Sequence, residues 1–159
     1  MGGDPGLAER DLAGTVAVEW RPQGTFAERI RAGGAGLGGF FTPTGAGTMV
    51  AEGKEVRTID GRPQVFETPL RADLAIVRAQ VADHFGNARF HRTARNFSPL
   101  MATAAAVTVL EADELVEVGA IDPDDVHLPG VCVKRIVHVP EHRNTIEFRT
   151  TRPRPPTPK

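Results

Sequence analysis

One cysteine and one serine stand among the 159 residues, and each shortage removes a class of chemistry. Cys132 has no partner for an intrachain disulfide, and its place in the apolar run Val131-Cys132-Val133 predicts a buried free thiol. Ser98 lies in Phe-Ser-Pro, so the G-x-S-x-G nucleophile elbow of a hydrolase is missing. The five histidines, at 84, 91, 127, 138 and 142, show no paired helical spacing around a carboxylate, and no zinc site is expected. Charge is nearly balanced, with a net of -1 and a pI near 6.5, which leaves no basic field for nucleic acid or an anionic membrane. The longest largely apolar run, 99–110, is far short of the roughly 20 residues that span a bilayer. No basic segment followed by an apolar one opens the chain, so the expected location is cytoplasmic.

What is present reads as α/β. Residues 7–13 suit a short helix, and the alternation across 16–20 predicts a strand. A turn at Arg21-Pro22-Gln23-Gly24 leads to a helix over 26–32, with Thr25 as its cap and Gly33-Gly34 as its stop. Phe40-Phe41 reads as a short buried strand or its entry. Segments 56–59 and 64–68 flank Asp60-Gly61, a hairpin signal, so this pair is an antiparallel excursion. Residues 74–81 form the strongest strand, apolar enough in its first half to be covered on both faces, and it belongs mid-sheet.

Farther along, 83–87 is a turn and 88–91 a short strand. Asn96 is placed to cap a helix over 99–106, with Pro99 in its first turn, and 107–110 and 131–137 are further strands. Residues 111–125 hold seven acids and no base, scattered in a way that fits a solvated loop or a partner-facing edge better than a calcium loop. The Pro- and Arg-rich stretch 150–159 has no apolar anchor and reads as a disordered tail after a single domain over 1–149.

Two glycine motifs fail on context. Gly34-Ala-Gly-Leu-Gly-Gly39 satisfies G-x-G-x-x-G but follows a helix and opens none. The stretch 47–54 has a glycine spacing one residue too long for a phosphate loop, and Glu55 stands where a Ser or Thr would hold magnesium.

The stretch 19–47, EWRPQGTFAERIRAGGAGLGGFFTPTGAG, is too particular to be generic loop. With ARNF at 94–97, PLMATAA at 99–105, ELVE at 114–117, DPDD at 122–125 and HLPG at 127–130, it resembles the α (A) subunit of the 3-oxoacid CoA-transferases. That resemblance implies a mostly parallel sheet with flanking helices, incomplete at its N-terminus, and no cofactor beyond coenzyme A thioesters as substrates. The partner it implies is a β subunit, because the family's nucleophilic glutamate sits in a Ser-Glu-Asn-Gly motif there, and no such motif occurs here. The expected reaction moves CoA from an acyl-CoA such as succinyl-CoA to a 3-oxoacid such as acetoacetate or 3-oxoadipate. The chain corresponds to roughly the C-terminal two-thirds of the family's α chain. Met1-Gly-Gly3 falls at an interior valine-glycine of the family, so an internal start or a truncated gene is expected, and a non-catalytic remnant that retains subunit binding is the alternative.

Gln23 matches the family's active-site glutamine in its Pro-Gln-Gly setting, and a neutral amide donates to a developing oxyanion without trapping it. Gly24 brings backbone amides of the helix start beside it. Phe40, Phe41, Thr42 and Gly45 are expected to shape the acyl pocket. Asn87 and Asn96 sit in turn or cap settings that explain them without a ligand. Arg95 reads as an ion-pair or interface residue and His127 as a hydrogen-bonded loop residue. Trp20-Arg21 departs from the smaller uncharged residues usual just before the glutamine.

Overall fold

A computed structural model describes residues 5–141 of the chain. Helices α1 (Pro5–Leu12), α2 (Gln23–Gly34) and α3 (Ser98–Ala104) accompany seven strands: β1 (Phe40–Thr42), β2 (Val56–Ile59), β3 (Arg62–Glu67), β4 (Ala72–Asp83), β5 (Ala88–Arg89), β6 (Ala105–Val116) and β7 (Arg135–His138). They form two sheets. The smaller is antiparallel, in the order β1-β3-β2, and the larger runs β5-β4-β6-β7 with β4, β6 and β7 parallel. The α/β class, the flanking helices and the hairpin excursion agree with the sequence. The hairpin closes through Asp60 at φ 49° and Gly61 at φ 74°, the pair of left-handed residues a two-residue turn requires.

The long central strand β4 holds the middle of the larger sheet, as its apolar run predicts, but its first half is covered on one face only, while Ala82 near its end is buried on the other. Ala75, Val77 and Ala79 are buried under α3 beside Thr108, Leu110 and Ala112 of β6. Thr108 Oγ1 donates to the Ala102 carbonyl at 2.8 Å, which satisfies its hydroxyl inside this layer and ties helix to sheet. Leu74 and Ile76, on the opposite face, are 52% and 59% exposed, because no described element packs over them.

Five local expectations are corrected. Residues 16–20 form no strand: Arg29 holds the segment through Glu19, with Nη1 at 3.3 Å, and itself donates Nε to the Thr68 carbonyl at 2.8 Å. Helix α2 starts at Gln23 after Pro22 (φ -57°, ψ 137°) with no side-chain cap, so Thr25 is inside the helix and buried. Gly33 and Gly34 are helical too; their lack of a side chain permits close packing, since a Cβ would lie 2.0 Å from the Leu70 oxygen and 2.2 Å from Thr103 Oγ1 respectively. After the C-cap Ala35 the chain is turned away by Gly36 (φ 72°), with the Leu37 amide returning to the Ala32 carbonyl at 2.9 Å. For α3 the N-cap position belongs to Phe97, not Asn96. Cys132 is half-buried in a short turn at the edge of the core, because Val131 before it points to solvent at 81% exposure. The expected tail at 150–159 lies outside the described residues.

Candidate functional site

Helices α2 and α3 pack side by side in the same direction. Near their starts Phe26 and Phe97 meet with ring centroids 6.0 Å apart, and near their ends Gly34 closes on Thr103. The two N-terminal ends are therefore neighbours. Between them opens a cleft of about 300 Å³ lined by Gln23, Gly24, Ala27, Asn96, Phe97 and Leu100. Its wall is apolar except for two carboxamides, Gln23 from the first residue of α2 and Asn96 from the turn that leads into α3.

The first backbone N–H groups of a helix have no acceptor within it, and α2 has no side-chain cap to satisfy them. At Gly24 a Cβ would meet nothing within 4 Å, so the missing side chain leaves this backbone open to the cleft. The partial positive charge of the helix start adds to these donors. The arrangement offers neutral hydrogen-bond donors beside an apolar wall, which suits a carbonyl or carboxylate oxygen attached to a carbon chain.

The position of Gln23 is set from outside the cleft. Glu19, four residues before it, pairs with both Arg21 and Arg29, and the Leu70 amide donates to the Arg29 carbonyl at 2.8 Å. A second cavity of about 280 Å³ borders this network and takes in Lys54 and Glu67. Its cations are already engaged: Arg21 and Arg29 with Glu19, and Lys54 Nζ with Glu67 Oε1 at 2.5 Å. Arg21, one of the departures noted in the sequence, is thus tied into the support of the turn.

The other residues singled out from sequence lie elsewhere. Phe40, Phe41 and Thr42 form β1 in the small sheet, where Phe41 packs on Phe66 at 5.2 Å and carries the Arg57 guanidinium 5.0 Å above its ring. Gly45, at φ 87°, turns the chain after that strand. Asn87 locks a turn: its amides donate to the buried Asp83 carboxylate, and its Oδ1 accepts from the Gly130 amide at 2.9 Å. His127 Nδ1 accepts from the Phe90 amide at 3.1 Å, and burial, reinforced by Arg95, pushes the imidazole below its ordinary pKa.

Asn96 is the residue that sequence reasoning undervalues. Read as a cap it needs no ligand, yet its side chain caps no helix and reaches the cleft wall with Phe97 and Leu100. The signal that could have found it is the ARNF motif, which precedes one helix as Pro-Gln-Gly precedes the other.

The paired sheets, the parallel helices and the cleft at their starts define an α/β architecture of the kind found in CoA-transferases. Over 87% of this chain the fold matches the acyl-CoA transferase of Escherichia coli O157:H7, solved as a thioester complex with CoA, at a TM-score of 0.77 and 20% identity, covering 31% of that chain. Residues 2–139 match the family described as coenzyme A transferase, and the chain belongs to that family. It is 53% identical over 141 residues to the α (A) subunit of the succinyl-CoA:3-ketoacid coenzyme A transferase of Xanthomonas campestris pv. campestris strain B100, spanning 89% of this chain and 58% of that protein. To the alpha subunit of the acetate CoA-transferase of Escherichia coli K12 it is 50% identical over 137 residues, spanning 86% of this chain and 62% of the relative. The chain therefore spans about three-fifths of the length of these relatives. No described helix is long and apolar enough to cross a membrane.

Proposed function

We propose that this chain supplies the α-subunit side of a CoA-transferase active site, moving CoA from an acyl-CoA such as succinyl-CoA to a 3-oxoacid, with the attacking glutamate contributed by a β subunit. The observation that carries this reading is the placement of the Gln23 carboxamide and the bare Gly24 backbone on one cleft at the start of α2.

In this reaction a glutamate oxygen attacks the thioester carbonyl carbon, the C–S bond breaks, and CoA leaves as thiolate. The thiolate then attacks the glutamyl carbonyl of the resulting anhydride, which releases the first acid as carboxylate and leaves a glutamyl-CoA thioester. The second acid reverses both steps. Each step builds negative charge on a carbonyl oxygen. A neutral amide and helix-start N–H groups stabilise that charge without holding the product carboxylate as a full cation would. Phe40, Phe41, Thr42 and Gly45 do not line this cleft.

The α-subunit relatives at 53% and 50% identity support it, and the substrates they are named for differ, so acetoacetate, 3-oxoadipate and acetate stand as alternative acids to assay. The rival reading, a remnant that binds a partner without catalysis, is favoured by one observation: the uncovered apolar surface at Leu74 and Ile76, which suits a protein contact.

The test assays exchange between succinyl-CoA and acetoacetate or 3-oxoadipate, with the chain alone and assembled with a β subunit. No turnover alone and turnover on assembly is the expected result, and Gln23→Ala in the assembly lowers kcat about 10²–10³-fold at unchanged melting temperature. Turnover by the isolated chain rejects the division of the site between two subunits. An assembled but inert complex selects the remnant.

A further inference from the structure

Asn96 has two ends with different fates. Its Oδ1 accepts from the Phe97 amide at 2.5 Å, and only the oxygen of a carboxamide can accept, so this bond fixes which way the group faces. The remaining NH₂ makes no hydrogen bond among the described residues. It is an oriented pair of donors on an exposed residue in the wall of the cleft, beside the apolar side chains of Phe97 and Leu100. Gln23 stands on the other helix as the second carboxamide of the same cleft.

Nothing about the turn requires those donors. A residue with an acceptor alone would bond the Phe97 amide equally well, and Asp does so commonly in such turns. Asn96 also borders the adjoining cavity of about 250 Å³, where Arg78 donates Nε and Nη2 to Asp113 and keeps Nη1 without a partner. Asn96 and the Arg78 guanidinium line the same cavity, yet the side chain at position 96 is neutral and donating instead of anionic.

We propose that Asn96 is a substrate-binding residue whose Nδ2 donates to the carboxylate of the acid substrate, while Gln23 serves the carbonyl oxygen on which charge develops. This rests on the CoA-transferase reading of the cleft and adds to it a division of labour. The acid lies with its carbon chain along Phe97, Leu100 and Ala27 and its carboxylate between the two helix starts. Its two oxygens then have separate donors. The anhydride oxygens replace them without rearrangement of either amide, which keeps the site organised through the reaction.

Asn96→Asp is the discriminating change, since it preserves the acceptor for the Phe97 amide and removes the donors. In the enzyme assembled with its β subunit, kcat/KM for the acid falls roughly 10- to 100-fold, the range for a lost hydrogen bond to a charged group, mainly through KM for the acid. KM for the acyl-CoA and the melting temperature stay near their starting values. Asn96→Ser, which keeps a small donor, recovers part of the loss. A separate measurement needs no turnover: the side-chain NH₂ resonances of the isolated chain, with Asn96 assigned by its absence in Asn96→Asp, are followed as succinate is added. Saturable shifts at both Asn96 and Gln23 are expected. A shift at Gln23 with Asn96 unmoved, or wild-type kcat/KM in Asn96→Asp beside a damaged Gln23→Ala, overturns the role of Asn96 alone. Wild-type kinetics in both variants, or no shift at either, overturns the reading of the cleft with it.

Discussion

The two faces of the larger sheet are built from the same strands and meet opposite environments. On one, Val77, Ala79, Leu110 and Ala112 are at most 4% exposed and join Ala102 of α3 in a single core. On the other, the register sets Leu74 beside Val107 and Ile76 beside Val109, and Leu74 and Ile76 stand more than half exposed. The side chains are equally apolar; helix cover alone separates them. Helix α3, which buries the first face, also forms the cleft with α2 packed beside it, so the forces that stabilise the fold position Gln23 and Asn96. At its Leu74–Ile76 end the second face contributes little to the stability of this chain.

The sharpest way to break this contrast is to shorten one side chain on each face. Leu110→Ala, at a site with 0% exposure, is expected to cost about 3–5 kcal/mol by leaving a cavity. Ile76→Ala, at 59% exposure, is expected to cost less than about 1 kcal/mol, since most of that surface is never removed from water. Urea unfolding of both variants decides it. Equal losses mean that the second face is covered in solution.

Charged groups extend the comparison. Lys54 and Glu67 form a pair with side chains 18% and 2% exposed, whereas Arg78 and Asp113 pair on the second face of the larger sheet at 29% and 41%. Lys54→Ala strands a buried carboxylate and is expected to cost about 3 kcal/mol. Asp113→Ala leaves a partly solvated guanidinium and should cost roughly 0–1 kcal/mol. A reversed order in the two melting temperatures would show that the second face is the drier of the two sites.

Two glycines of α2 sharpen it further. Gly33→Ala drives a methyl group toward the Leu70 carbonyl, 2.0 Å from an ideal Cβ, and should cost about 1–3 kcal/mol. Gly24→Ala enters open space in the cleft, so the protein should keep its melting temperature while turnover of the assembled enzyme drops. A destabilised Gly24→Ala would mean that the cleft is closed in solution.

Local chemistry makes much of the fold legible. Asp60-Gly61 announces its hairpin, the apolar run of β4 its central place, and the Asp83–Asn87 turn its own bonds. Alternation at 16–20 does not reveal that no described strand pairs with it, because pairing is a property of two segments. Thr25 is a good cap by type, yet Pro22 fixes the helix start three residues earlier. The apolar first half of β4 suggests two covered faces, since hydrophobicity records what a strand tolerates and not what packs on it. In the site, Gln23 and Gly24 are found through the Pro-Gln-Gly resemblance. Asn96 escapes notice because its neighbour across the cleft is distant in sequence, and only the parallel packing of α2 and α3 brings the two amides together.

The smallest expected effect concerns pH and the loop that closes the core at Leu128. His127 Nδ1 must be unprotonated to accept from the Phe90 amide, and its ring stacks on Phe90 with centroids 6.5 Å apart. Burial lowers its pKa, Arg95 and Arg89 lower it further, and Asp125 opposes them. A histidine depressed in the folded state is neutral in both states above its ordinary pKa of about 6.5, where its contribution is complete. As the pH falls below that value the unfolded chain takes the proton first, so stability drops until the folded imidazole is protonated too. His127→Asn places an oxygen near the Nδ1 position without a titrating group. Between pH 7.5 and 5.5 the wild type should therefore lose more in melting temperature than His127→Asn. Identical losses in the two proteins would show that the acid sensitivity of the fold arises elsewhere and that the His127–Phe90 bond survives protonation by rearrangement of the loop.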